Sequence, residues 1–352
     1  MGGSSAAALG STRDGGARAA TAGKLAVVFV LPAICVFVSL FCGRYALSLP
    51  DVCQALVSWI PGFGGAVSNE SATLVMQVRL PRALAAAAVG AALAASGAAF
   101  QGVFRNPLVN PGLLGVSNGA GFGAALAIVL AGGGAAVYPL AFAFGLVAVG
   151  ASYWIARVYK ATPTVMLILG GTIVSSVFSA LVSLMKYVAD ADTQLPSIVY
   201  WLMGSLSSVG WESFWSVAVM AAGCAVLMLF AWRIDVLSMG DKEARSLGLE
   251  VGRDKGIIIA AATFATAGAV CMAGVVGWVG LIVPHIGRML VGSNNRVLVP
   301  ASMALGAAFL VVVDTCARCL WASEIPLGIL TALIGAPFFV YLLKKTKGGG
   351  WQ

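Results

Sequence analysis

The sequence predicts an all-α polytopic membrane protein of about ten transmembrane helices, and three observations carry that prediction. Sixty per cent of the 352 residues are hydrophobic, only 10% are charged and the mean hydropathy is +0.97, whereas about a quarter of a soluble domain's residues are charged. Apolar stretches of about 20 residues recur along the chain, the length a helix needs to cross a hydrocarbon core of roughly 30 Å. A helix satisfies its own backbone hydrogen bonds in lipid, and the alternating segments of about 10 residues that mark a transmembrane barrel are missing.

Residues 1–23 are Ala, Gly, Ser and Arg without an apolar pattern and read as a disordered cytoplasmic tail; a single membrane domain follows over 24–345, then a short tail, 346–352. Candidate spans lie at 24–43, 82–103, 113–131, 135–157, 164–187, 213–232, 256–276, 278–291, 297–318 and 327–343. The first opens at Lys24 and imitates a signal peptide, but its apolar run is longer than an ordinary leader core and Cys42 lacks a small residue before it, so it is kept as an uncleaved span. The second carries AAAAVGAALAASGAAF, small residues that allow close helix packing. Between the second and third, Asn106 and Pro107 with Pro111 and Gly112 mark a sharp turn. The fifth places Thr172, Ser176, Ser179 and Ser183 at spacings of 4, 3 and 4, a hydroxylated stripe on one face that suits either plain packing or a passage lining. The eighth is short and contains Pro284, which predicts a tilted, bent or partly buried helix.

If the N-terminus is inside, 16 of the 21 basic residues fall on one side of the membrane. That bias places both termini and the segment 237–256 in the cytoplasm. Arg44, Arg79, Arg82, Lys186 and Arg318 remain outside and need their own explanation. The net charge of +8 is scattered singly between apolar runs rather than gathered on a face, so nucleic acid is not the expected partner. Spans 2–5 and 7–10 form two sets of four that begin on opposite sides. If the sets are related they are an inverted repeat, a common transporter plan.

The segment LSMGDKEARSLGLEVGRDKG, 237–256, breaks this hydrophobic pattern with eight charged residues. Ser238 and Asp241 have capping-box spacing, Gly248 suits a left-handed C-terminal position, and Asp241 and Arg245 are an i,i+4 pair. Gly240, Ala244 and Leu247 share one face of the resulting helix of about two turns. Such a helix is either a solvated connector or an element that docks into another protein.

The remaining chemistry is sparse. Seven cysteines, an odd number and mostly inside apolar runs, read as small core residues; Cys316 and Cys319 form a CxxC with no second pair. His285 is the sole histidine and is assigned a structural role, so no metal site and no catalytic residue is expected. No GxxxxGK[ST] phosphate loop occurs, so this chain binds no ATP by that means.

Six stretches in order, RLPR (79–82), QGVFRNPLVNPGLLGVSNGA (101–120), MGDKEARSLG (239–248), GWVGLIVPHIGRMLVG (277–292), DTCAR (314–318) and EIPLGILTALIGAPFFVYLL (324–343), resemble the FecCD family of permeases for iron–siderophore, haem and cobalamin uptake. The resemblance covers about 25–345. It implies a permease subunit of an ATP-binding-cassette importer, homodimeric, in the cell membrane, with two cytoplasmic ATPase subunits that carry ATP and Mg, and a substrate-binding protein outside. It further implies that Gly240, Asp241, Glu243, Ala244, Leu247 and Gly248, within a coupling helix at about 238–248, sit in a cleft of the ATPase. In family terms Arg79, Arg82 and Arg318 meet acidic residues of the binding protein, the role for which guanidinium geometry is suited. End-of-helix anchoring, or a pair of Arg318 with Asp314, is the structural alternative. Thr172, Ser176, Ser179 and Ser183 would line the passage, and Asn106 and Pro107 would form an inner turn or gate. A siderophore is the expected cargo, with haem or cobalamin as alternatives.

Two rivals are weaker. Gly115 to Gly119 match GxSxG, but a hydrolase elbow needs a strand-to-helix turn and Ser117 begins a membrane helix. An ion-driven secondary transporter usually places acidic groups in mid-membrane, and this chain offers only Asp314, near an outer end and beside Arg318.

Overall fold

The computed structural model describes residues 25–58, 69–157, 164–321 and 323–345, together with Gly23. Both expected tails therefore lie outside the described residues, Gly23 apart. All regular structure described is helical: α1 (Leu25–Ser39), α2 (Leu49–Val57), α3 (Glu70–Phe104), α4 (Val116–Ala131), α5 (Val137–Ala156), α6 (Thr164–Val188), α7 (Gln194–Met203), α8 (Trp215–Leu229), α9 (Ala231–Met239), α10 (Asp241–Ser246), α11 (Val251–Ala273), α12 (Val279–Val291), α13 (Asn295–Cys319) and α14 (Leu327–Lys345). Six of them, α3, α5, α6, α8, α11 and α13, are long and apolar enough to cross a membrane, and α1, α4, α12 and α14 are shorter apolar helices. These are the ten predicted spans.

Helix α3 is the centre of the molecule, packed by α13, α11, α12, α8 and α9. Its alanines and glycines make that possible. A Cβ on Gly97 would fall inside the carbonyl of Gly280 in α12, and one on Gly90 inside the carbonyl of Gly306 in α13. Backbones meet here without side chains between them, the arrangement that small residues permit in lipid.

This helix also begins earlier than the predicted 82. A π-helical segment, Leu74–Arg79, precedes Leu80, whose N–H donates to the Val75 carbonyl. In the α-helix the ring of Pro81 would crowd the carbonyl four residues back; the wider turn before it relieves that clash, so the chain continues instead of starting afresh at RLPR. At the other end Arg105 adopts φ +52° and closes the helix.

The packing follows an exchange between halves. While α3 lies on α12 and α13, α11 lies on α4 and α5. An inverted repeat of spans 2–5 and 7–10 requires that pairing. Gly115 (φ +86°) immediately before α4 has its counterpart in Trp278 (φ +69°) before α12.

Two further helices, α2 and α7, lay beyond the sequence reading. For α2 a signal was present: the Ser48 side chain accepts from the N–H of Asp51, and the Asp51 carboxylate accepts from the N–H of Ser48, a capping box with Pro50 inside the first turn. The start of α7 follows a turn in which Asp190 Oδ1 accepts from the N–H (2.9 Å) and hydroxyl (2.6 Å) of Thr193.

Candidate functional site

The charged segment resolves into the end of α9, the short α10 and the start of α11. Ser238 does not cap α10; it ends α9 and its hydroxyl donates to the Asp235 carbonyl at 2.6 Å. Gly240, at φ +143°, occupies the cap position, a backbone conformation L side chains rarely adopt. Gly248 takes the left-handed conformation (φ +83°) that its place after α10 predicts. The short helix α10 thus spans Asp241–Ser246, inside the 238–248 expected from the sequence.

Its charges are paired differently from the local prediction. Asp241 does not bond Arg245; Lys255 Nζ donates to both Asp241 carboxylate oxygens at 2.8 and 2.9 Å, from a side chain only 2% exposed. Next to it, Asp254 is buried against Arg233 Nη1 at 2.5 Å. Asp235 in turn accepts from the backbone N–H and side-chain amide of Asn295, both at 2.7 Å. Arg288 donates to the Gln101 side chain at 2.6 Å. A chain of polar contacts therefore ties α10 to α11, α11 to α9, α9 to α13 and α12 to α3. Lys255, Asp254, Arg233, Asp235 and Asn295 were not picked out from sequence, because partners 14 to 60 residues apart leave no local periodicity.

What remains exposed on α10 is a second set. Ala244 is fully buried beneath the helix, but Leu247 is 57% exposed, so it does not share the buried face with Gly240 and Ala244 as predicted. Lys242, Glu243 and Arg245 point outward with it. An exposed leucine among charges, on a helix anchored from below, is a surface with apolar area that no described residue covers.

On the opposite side, Arg79, Arg82 and Arg318 are 3%, 7% and 7% exposed. Arg82 meets Asp314 at 2.9–3.1 Å and holds both carboxylate oxygens of Glu324 at 2.9 Å. Arg79 donates to the carbonyls of Leu40 (2.6 Å) and Tyr45, and Arg318 donates to the Ser39 carbonyl at 2.6 Å. The alternative pair of Arg318 with Asp314 is present at 3.9 Å. This cluster clamps the end of α1, the start of α3, the end of α13 and the segment before α14. Burial alone would raise the Glu324 carboxyl, but the hydrogen bonds and charge of Arg82 hold it below the usual glutamate range. In the isolated chain, meeting acidic residues of another protein would first require these guanidiniums to leave partners they already have.

Thr172, Ser176, Ser179 and Ser183 all lie on the exposed face of α6, opposite the buried Leu167, Gly170, Gly171, Val174, Phe178 and Val182. Thr172, Ser176 and Ser183 donate their hydroxyls back to carbonyls four residues earlier, at 2.9–3.0 Å. The protons of these three hydroxyls are thereby satisfied within the helix. Near the C-terminal ends of α4, α7 and α11 is a cavity of about 470 Å³, where Tyr200 donates to Ser205 and Ser205 to Ser207, each at 3.0 Å. At the turn after α3 Asn106 Oδ1 accepts from the Leu108 N–H at 2.9 Å, and its own N–H donates to the Gln101 carbonyl. His285 is half-buried in α12. Among the described residues no group of three metal-ligating side chains occurs.

Comparison with known proteins agrees with this layout. The FecCD transport family model matches residues 31–345. The molybdate import system permease protein MolB of Haemophilus influenzae is 41% identical over 327 residues, 93% of this chain and 96% of the relative. The cobalamin import system permease protein BtuC of Halobacterium salinarum is 44% identical over 283 residues, 80% of this chain and 76% of the relative. Among solved structures, an inward-facing ABC transporter described as of metal-chelate type superposes with a TM-score of 0.80 at 39% identity, over 91% of this chain and 98% of that one.

Proposed function

Because this chain belongs to the FecCD transport family and is the permease subunit of an ATP-binding-cassette importer, a transport component without enzymatic activity of its own, we propose that it carries a metal chelate, an iron–siderophore, into the cytoplasm as one half of a homodimer. Permeases of this kind work with ATPase and substrate-binding subunits. The ion-driven carrier is set aside by the family.

The observation that carries the mechanism is the joint at α10. Its outer surface offers Leu247 and charged side chains, while its inner surface is pinned through Asp241 to Lys255 of α11. The cytoplasmic ATPase, holding ATP and Mg, closes around Gly240 to Gly248 and pulls on α10. The pull passes through the Asp241–Lys255 pair into α11, which packs on α3, α4, α5 and α8. The two permease copies then rock about the exposed faces of α6, and the chelate moves along Thr172, Ser176, Ser179 and Ser183. That stripe contains no fixed charge, which suits a bulky chelate. Asn106 and Pro107 form the inner gate, next to α10 through Arg105. The binding protein docks at the outer end, where the Arg79, Arg82 and Arg318 clamp orders the rim it meets and can release a guanidinium to an incoming carboxylate. Both termini are cytoplasmic and the membrane is the cell membrane.

MolB favours a second cargo, a compact oxyanion, since the likeness to it runs over nearly its whole length. Proteoliposomes holding the permease, its ATPase and its binding protein separate the readings. ATP-dependent uptake of an iron-loaded siderophore, with none of molybdate or cobalamin, supports the proposal; uptake of molybdate alone replaces it.

A further inference from the structure

A cavity of about 440 Å³ opens on the side that carries α10, between the end of α3, the end of α9, α12 and the start of α13. Arg105, Arg288, His285, Gln101, Asn106 and Asn295 line it, and no carboxylate is among its lining residues. Arg288 is half-buried and donates to a neutral amide oxygen, that of Gln101. Arg105 is exposed and makes no side-chain hydrogen bond or ion pair among the described residues. Two carboxylates lie nearby without entering. Asp235 is occupied by Asn295, and Glu243 folds over Gly240, close to Arg105 but beyond ion-pair reach. Two guanidiniums thus face one space that no carboxylate lines.

Asn295 supplies an independent observation. The residue is 4% exposed, its backbone N–H and its side-chain amide nitrogen each donate to Asp235, and its Oδ1 is a buried acceptor with no partner among the described residues. A buried acceptor left empty is destabilising, so a ligand that fits here brings a hydrogen-bond donor as well as negative charge. A carboxylate brings only acceptors, and so does sulfate. Hydrogen phosphate, or a phosphodiester bearing a glycerol hydroxyl, brings both.

We infer that this cavity is an oxyanion site for a phosphate group that carries a hydroxyl donor, with Arg105 and Arg288 on the phosphate oxygens and Asn295 Oδ1 accepting from the hydroxyl. Guanidiniums suit phosphate through paired, charge-assisted hydrogen bonds. Basic pockets between membrane helices on the cytoplasmic side take anionic lipid headgroups, and free phosphate has the same chemistry.

The test uses the full chain, delipidated in neutral detergent. Inorganic phosphate is titrated at constant ionic strength against sulfate and chloride, with thermal stabilisation as the readout. Native mass spectrometry after incubation with phosphatidylglycerol or phosphatidylcholine forms the second arm. The expected result is stabilisation by phosphate beyond sulfate, or retention of phosphatidylglycerol beyond phosphatidylcholine, with Arg105→Gln weakening the effect about tenfold. Since Arg105 has no partner to lose, R105Q keeps the melting temperature of the ligand-free protein. Phosphate alone active identifies a soluble ligand; phosphatidylglycerol alone active identifies a lipid site. Equal responses to phosphate, sulfate and chloride together with no lipid preference overturn the inference, as does binding that R105Q leaves intact. If neither probe binds and R105Q instead loosens the ATPase, the cavity is a protein contact and the phosphate site is wrong.

Discussion

Replacing Asp241 by asparagine should harm the protein more than replacing Lys255 by methionine, although both changes break the same ion pair. At 2.8 Å and an effective dielectric of about 20, the pair attracts by about 6 kcal/mol before desolvation. The two ends differ in burial: the Lys255 side chain is 2% exposed and that of Asp241 36%. D241N strands a buried ammonium, while K255M leaves a carboxylate that can turn to water. Breaking a fully buried pair costs ~3–5 kcal/mol. With Asp241 partly solvated, D241N should cost about 2–3 kcal/mol and K255M about 1. The double variant should be more stable than D241N, since it removes the stranded charge. Thermal unfolding of the detergent-solubilised proteins as a double-mutant cycle gives the order, and ATP-driven uptake shows whether the restored fold is still coupled. A K255M loss equal to or larger than that of D241N, or strictly additive losses, would refute the assignment of the buried partner.

Gly97→Ala should abolish stable folding, because its Cβ is aimed at the Gly280 carbonyl and overpacking costs about 1–3 kcal/mol or more where backbone cannot yield. Gly252→Ala, in open space on α11, should be neutral or stabilising in the same melting assay. Cys53 and Cys319 are exposed at the end that the proposed orientation places outside, so a membrane-impermeant maleimide should label both in intact cells; labelling only after permeabilisation would reverse that orientation. The depressed Glu324 carboxyl stabilises the fold above its ordinary value of ~4.3, and that contribution is lost as pH falls through its lower folded-state value. Melting temperature should therefore decline on acidification below about pH 4, and Glu324→Gln should shrink the decline.

The spans were legible because lipid imposes one strong demand, a run of apolar residues long enough to cross, and each such run folded as a helix. Boundaries were less legible where backbone geometry decided them, as at Pro81, which sits inside α3 because a π-helical segment precedes it. The position of α10 and its C-terminal stop at Gly248 were readable, but its N-terminal cap was not: the capping-box spacing pointed to Ser238, whereas Gly240 takes the cap at a φ that only glycine adopts easily. Its anchoring was not. Lys255 reaches back 14 residues to Asp241, and Arg82 reaches 232 residues to Asp314, distances at which a charge in the sequence names no partner. The outer arginines show the same limit: unusual charge marked them as special, while the burial that ties them to Asp314, Glu324 and the carbonyls of Ser39 and Leu40 exists only in the fold.

The most direct test of the central claim is native mass spectrometry of the tagged protein, gently extracted from its own cells, beside a Glu243→Arg/Leu247→Asp variant. Both changed side chains are exposed on the coupling element and hold nothing inside the permease that the anchoring at Asp241 and Ala244 depends on. A complex of two permeases and two ATPase subunits, lost in the variant while the permease itself stays folded, is the predicted result. A wild-type protein that emerges without ATPase under every gentle condition, or a variant that keeps it, would contradict the claim that α10 is the joint.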